Sequence, residues 1–360
     1  MKKEIQVISP RQFAFILISF LTGSASLFIP ESWAGRDAWI STILAATLGL
    51  IPLLLILQLN KKFKGLTIIE YSEICLGKVL GKIFSGFFLL NAFIIATLVV
   101  EDLVLLFNIA IIPATPEIIL RSGLVLLVIY ALYSGIEAIA RLTELYVFPI
   151  IFLLLILPFL TLQDIDFSYL QPILADGVKP IIAGSLVALN FPFTQITFLA
   201  IILPAVNDKR DSTPLYLLSY FIGSVLLLTR TILGVTIFSA EVIGKMLLPT
   251  YQIFRLVNIG EFLNRVEAFF IFVWILGFFT TLLAIYYALI LGFSQLLGLK
   301  EKEPLIIPIG FLIIFLSKLM FPSVSYFVYF AITLPIINIS LNFFYPILLF
   351  FSSLFKKTPS

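Results

Sequence analysis

Ten runs of predominantly apolar residues, separated by short polar connections, dominate the sequence. They are Gln12–Pro30, Ala38–Leu59, Ile83–Ile112, Ile118–Tyr133, Leu145–Leu162, Pro180–Pro204, Leu215–Phe238, Val266–Phe293, Leu305–Met320 and Tyr326–Phe355. A helix that crosses a bilayer needs about 20 such residues, because the hydrocarbon layer is about 30 Å thick and each residue adds 1.5 Å. Backbone polar groups in lipid must be satisfied within the segment, and for runs of this length the helix does that. The expected fold is an all-α integral membrane protein of ten transmembrane helices, numbered here as spans 1 to 10. The expected organisation is one transmembrane domain over residues 1–360.

Composition agrees and narrows the chemistry. Hydrophobic residues make up 61% of the chain and charged residues 12%, about half the ~25% of soluble domains. There is no histidine, hence no imidazole base or ligand, and Cys75 is the single cysteine. Gly77-Lys78 and Gly244-Lys245 lack the rest of a phosphate-binding loop. A net charge of +3 is too small for nucleic-acid binding. An enzyme is not expected, and no cofactor is implied.

Lysine and arginine gather on the side of the N-terminus, with Lys2-Lys3, Lys61-Lys62 and Lys64, Lys209-Arg210, Lys300 with Lys302, and Lys356-Lys357. The positive-inside rule then puts both termini in the cytoplasm. Lys2 and Lys3 ahead of Gly23-Ser24-Ala25 have the form of a signal peptide. The apolar run continues past those small residues to Pro30, so it is read as a span.

Two spans are interrupted. Span 1 contains Leu21-Thr22-Gly23-Ser24-Ala25-Ser26, and span 6 contains Asn190-Phe191-Pro192-Phe193-Thr194-Gln195. Pro192 removes a backbone donor, and Gly23 lowers the cost of unwinding. The breaks lie at similar depth, counted from opposite faces. Spans 1 and 6 are five apart, so two five-helix units, at about 11–162 and 180–355, would be inverted repeats. Paired breaks in such halves point to a midplane binding site. The alternative reading of the same residues is a small-residue packing face and a simple proline kink.

Four further segments are familiar in combination. They are Ile8-Ser9-Pro10-Arg11-Gln12, Ala34-Gly35-Arg36-Asp37-Ala38-Trp39-Ile40, the stretch from Ser134-Gly135 to Glu144, and Phe262-Leu263-Asn264-Arg265-Val266-Glu267 followed by Trp274. Together they resemble the B subunits of spore germinant receptors, the GerAB-type endospore germination permeases. The resemblance covers the whole chain. It implies the amino acid–polyamine–organocation superfamily and a LeuT-like 5+5 inverted repeat with interrupted helices 1 and 6. It further implies a nutrient-sensing role in the spore inner membrane, beside an A and a C subunit. The competing readings are a secondary amino-acid transporter, ion- or proton-coupled, and a subunit that conducts water or ions. Some proton-coupled relatives carry a lysine in span 5, and Leu145–Leu162 has none.

Candidate residues follow from burial chemistry. A zwitterionic amino acid at the break of span 1 would put its carboxylate on the amides near Thr22, Gly23 and Ser24, at a helix N-terminus. Its ammonium would take carbonyls around Leu21 and Asn190–Phe191. Phe191 and Phe193 would wall the pocket, and span 3 near Asn91–Thr97 would close it. Glu101 and Asp102 lie within span 3, about 100° apart on the helix, so at most one of them faces the interior. Arg230 either pairs with one of these acids or snorkels to the interface. Glu137, Arg141 and Glu144 are spaced for a chain of ion pairs at the corner between spans 4 and 5, structural or gating. Asp37 is expected to cap span 2, and Glu267 with Arg265 to anchor span 8. Thr280 and Thr281 either bond their own helix or present hydroxyls to a sodium ion opposite the break of span 1. Partner subunits are expected to dock on lipid-facing spans, the Asn60–Gly81 loop and the Val242–Asn264 loop.

Overall fold

The computed structural model describes residues 7–208, 210–257 and 266–356. The chain is almost entirely helical. Ser9 starts α1 (Pro10–Thr22) with a reciprocal cap: Gln12 N donates to Ser9 Oγ at 3.2 Å, and Ser9 N donates to Gln12 Oε1 at 2.9 Å. α1 stops at Gly23, whose amide still reaches Ser19 O at 2.7 Å. One tight turn, Ala25–Leu27, follows; then comes extended backbone at Phe28 and a second tight-turn stretch, Pro30–Asp37.

α2 (Ala38–Lys62), α3 (Ile68–Leu76), α4 (Lys78–Ala110), α5 (Glu117–Leu132) and α6 (Ile136–Leu160) complete the first half. The second half opens with α7 (Val178–Ala188). A wide π turn over Leu189–Phe193 then breaks at Phe191 (φ −140°, ψ 112°) and gives way to a tight helix over Gln195–Ile201. α8 (Thr213–Ile243), the short α9 (Pro249–Leu256), α10 (Val266–Leu296) and α11 (Ile306–Met320) follow. The last span comes in three pieces: α12 (Val324–Thr333), α13 (Pro335–Ile339) and, after a π turn at Ser340–Phe344, α14 (Tyr345–Leu354). Both expected interruptions are therefore present.

Eight helical stretches among the described residues are long and apolar enough to cross a membrane. The runs at Gln12–Pro30 and Ile118–Tyr133 are represented by shorter helices, α1 with 13 residues and α5 with 16. For α1 the reason is the break itself. The outer surface is what lipid requires: Phe148, Phe152, Phe159, Phe311, Phe315 and Phe351 are all more than half exposed. The chain is an integral membrane protein.

The two halves are tied together at both ends. On the face of the N-terminus, Ile8 N donates to Ala205 O and Asn207 N donates to Ile8 O, each at 3.0 Å. Lys61 pairs with Asp211 at 2.8 Å on that same face. On the opposite face Arg36 Nη1 donates to Gln171 O at 2.6 Å. Asp37 accepts the Leu174 amide at 3.0 Å. Asp37 therefore does not cap α2 with its side chain, as expected from sequence; it sits at the cap position but spends its carboxylate on the α6–α7 connection. Residues 258–265 fall outside the described residues, so the Arg265 anchor and the end of the Val242–Asn264 loop do too.

Candidate functional site

The break in α1 is filled by protein. Thr22 Oγ1 donates to Ile18 O at 2.8 Å and shares a 3.1 Å hydrogen bond with Tyr146 of α6. Ser19 Oγ and Thr280 Oγ1 are 2.5 Å apart, Thr280 also donates to Gly277 O at 2.9 Å, and Thr281 Oγ1 donates to Ser19 O at 3.5 Å. The threonine pair faces the break, and its hydroxyls are engaged with α1 and α10. Gly23 lies directly on this wall. A Cβ there would stand 2.6 Å from Gly277 O and 2.8 Å from Ser19 O, with Thr281 Oγ1 closer still. Just beyond, Trp274 Nε1 donates to Ser26 Oγ at 2.9 Å. Thr22, Gly23 and Ser24 are buried and do not line the open space nearby.

That space is a cavity of about 330 Å³ lying further toward the face opposite the N-terminus. Phe28, Ile29 and Pro30, just after the α1 break, form one wall. Asn190, Phe191 and Gln195, at the α7 break, form the floor. Ile95, Leu98, Val99 and Asp102 of α4 close a third side, and Phe327, Leu334 and Asn338 of the last span close the fourth. The exposed residues Trp33, Gly244, Lys245 and Leu247 ring the mouth. The Phe28 ring lies 6.4 Å from that of Phe191 and 6.5 Å from that of Phe327.

Of the expected site residues, Asn190 and Phe191 line this cavity. Phe193 does not: its ring is 6.0 Å from that of Tyr220, and it packs on Gly49 of α2. The reason is the bend at Phe191 and Pro192, which turns the two phenylalanines to different neighbours. Asn91 lies below the cavity, donating to Asn342 Oδ1 at 3.2 Å, while Ile95 fulfils the expected closure by span 3.

Two asparagines in the cavity walls are left with buried, unpaired atoms. Asn190 Oδ1 has no hydrogen-bond partner among the described residues, nor do Oδ1 and Nδ2 of Asn338, which is fully buried. An unpaired buried polar group costs about 1–3 kcal/mol. Such groups facing a cavity are the usual means of orienting a small ligand.

The two acids of α4 separate. Glu101 turns away from the cavity to α5, where Arg121 grips it with Nε to Oε2 at 3.0 Å and Nη2 to Oε1 at 2.9 Å; Ser317 donates to it at 3.1 Å. Arg121 also reaches Glu117 at 2.8 Å. Asp102 faces the cavity.

Arg230 neither pairs with those acids nor reaches solvent, which corrects both sequence readings. It is 2% exposed, and its Nη2 donates to Glu31 Oε1 at 2.7 Å. Its Nη1 donates to the carbonyls of Ala25 and Phe28, the chain ends left by the broken helix. Thr231 Oγ1, and Thr42 Oγ1 at 2.9 Å, also donate to Glu31. The physical reason is that the unwound segment supplies both an acid and free carbonyls within reach of α8. The corner between α5 and α6 is simpler than expected. Glu137 pairs with Arg141 at 3.2 Å in an exposed i,i+4 bridge, while Glu144 makes no hydrogen bond or ion pair among the described residues.

Glu31, Tyr146, Arg121 and Asn338 were not singled out from sequence. Glu31 could have been: a mid-span arginine demands a buried acid.

A family model described as "Spore germination protein" matches residues 7–325. Spore germination protein KB of Bacillus subtilis (strain 168) is 28% identical over 97% of this chain and 95% of that protein. Spore germination protein A2 of the same organism is 26% identical over 84% of each. Among solved structures, Mhp1, a nucleobase-cation-symport-1 family transporter, superposes with a TM-score of 0.57 at 12% identity, covering 94% of this chain and 75% of that one. A manganese transporter of Eremococcus coleocola gives 0.53 at 14%, covering 96% and 76%. These likenesses show the fold, the LeuT-like arrangement around two interrupted helices.

Proposed function

Since the chain belongs to the family of spore germination proteins, we propose that it is the nutrient-sensing subunit of a spore germination receptor, taking a small molecule in the cavity between its interrupted helices. One observation carries this reading: a cavity of nutrient size touches the segments after both breaks, with Asp102, Asn190 and Asn338 in its walls. Its volume is at the small end of ligand pockets, too small for a peptide. The ligand acts by binding one conformation better than another, and partner subunits read the shift. Those partners are an A and a C subunit in the spore inner membrane. Both termini face the spore core, which follows from the lysine and arginine bias.

The test uses spores. Asn190→Ala and Asn338→Ala each remove a polar contact worth about 1–3 kcal/mol. The nutrient concentration for half-maximal germination should rise roughly 5- to 150-fold, with protein levels unchanged. Unaltered dose–response curves in both variants would sink the cavity assignment.

A second reading, secondary transport, is favoured by one feature: the cavity opens toward one face, while on the face of the N-terminus Ile8 is hydrogen-bonded to the chain at 205–207. Net uptake of labelled nutrient by proteoliposomes, with germination independent of the protein, would select it.

A further inference from the structure

We propose that Asp102 is the cation-binding group of this cavity, and that the molecule it takes carries a primary ammonium on a short apolar body. The proposal rests on the cavity being the nutrient site and adds the chemical class. Asp102 is 5% exposed and lines the cavity wall, yet it makes no hydrogen bond or ion pair among the described residues. The contrast with its neighbour is direct. Glu101 has a bidentate arginine and a serine hydroxyl, and Asp102 has neither. Lys245 lines the mouth, exposed, and forms no ion pair with Asp102. A carboxyl buried in apolar surroundings either carries its proton or keeps its charge by meeting a cation, and a cationic guest supplies the second.

The surroundings select the kind of cation. A bare metal ion wants about six oxygen ligands, and around Asp102 the walls are Ile95, Leu98 and Val99 on its own helix with the Phe28–Phe191–Phe327 cluster among the other lining residues. Aromatic faces add to the attraction of an organic ammonium and accept its hydrocarbon part. Asn338 stands in the wall formed by the last span, its buried amide without a partner among the described residues. A carboxylate, an aromatic cluster and a neutral amide form a receptor for an amine. They leave no cation for Asp102 when the guest is a neutral polyol.

The experiment uses the full chain, purified into nanodiscs, with thermal stabilisation as readout. The probes are n-propylammonium chloride, sodium propionate, 1-propanol and potassium chloride. Propylammonium should stabilise the wild type, the other three should not, and Asp102→Asn should weaken the propylammonium response at least tenfold. Equal stabilisation by propionate, propanol or the inorganic salts overturns the assignment, and so does an unchanged Asp102→Asn response. The probe series on the wild type needs no variant, so poor accumulation of Asp102→Asn leaves it decisive. Spores separate this claim from the one beneath it. A response shifted by Asn190→Ala and untouched by Asp102→Asn removes the ammonium and keeps the cavity; a response untouched by both removes the cavity as well.

Discussion

Replacing Arg230 by methionine should destabilise the purified protein by about 3–5 kcal/mol, because Glu31 is then left charged and fully buried without its partner. The double variant Glu31→Leu with Arg230→Met should recover only part of this. Deleting both charges removes the uncompensated carboxylate. It also strips the carbonyls of Ala25 and Phe28 of their shared donor, at about 1–3 kcal/mol for each. A double-mutant cycle followed by chemical denaturation in detergent gives the coupling directly. An Arg230→Met variant within about 1 kcal/mol of the wild type would show that the pair does not hold the segment. Two strictly additive single effects would show that Glu31 and Arg230 act separately.

Valine at Gly23 should also damage the core. The added carbons meet a backbone carbonyl on each side, at 2.6 Å and 2.8 Å from the Cβ, and backbone cannot swing aside as a flexible side chain does. Overpacking of this kind costs about 1–3 kcal/mol, more where the neighbours are rigid. A ligand held on the amides near Gly23 would be blocked by bulk there while the protein still accumulated. The packing of α1 on α10 alters that expectation: membrane levels and melting temperature should fall together, with Gly23→Ala intermediate. Quantitative immunoblots of spore membranes check it. Normal levels of Gly23→Val with germination abolished would return the ligand to the break in α1.

The difference between those outcomes marks what sequence does and does not carry. The interruptions were legible because glycine and proline act on the backbone locally, whatever surrounds them. The apolar runs were legible because lipid imposes length and composition. Neither source says what fills a break. Tyr146 closes on Thr22 and Gly277 on Gly23, from helices 124 and 254 residues further along the chain, and no local pattern at either residue announces it. The split between Glu101 and Asp102 depends on helix rotation, which the weakly amphipathic α4 leaves unmarked in its sequence. Asn338 lies within a run of apolar residues whose length draws attention before its lone amides do.

The strand-like bridge at Ile8 has a consequence for dose. Two backbone hydrogen bonds hold residue 8 to the chain at 205–207, and α1 begins two residues later at Pro10. Each such bond is worth about 0.5–1.5 kcal/mol net, so those two alone hold the open form to roughly one part in 5 to one part in 150. The N-terminal segment is thus a drawbolt on a rod whose far end is the break at Gly23. If the responding conformation needs this bolt drawn, its cost divides the apparent affinity by the same factor. Deleting the residues ahead of Pro10 should then lower the half-maximal dose, and an unchanged dose–response curve would show that the bolt stays closed throughout.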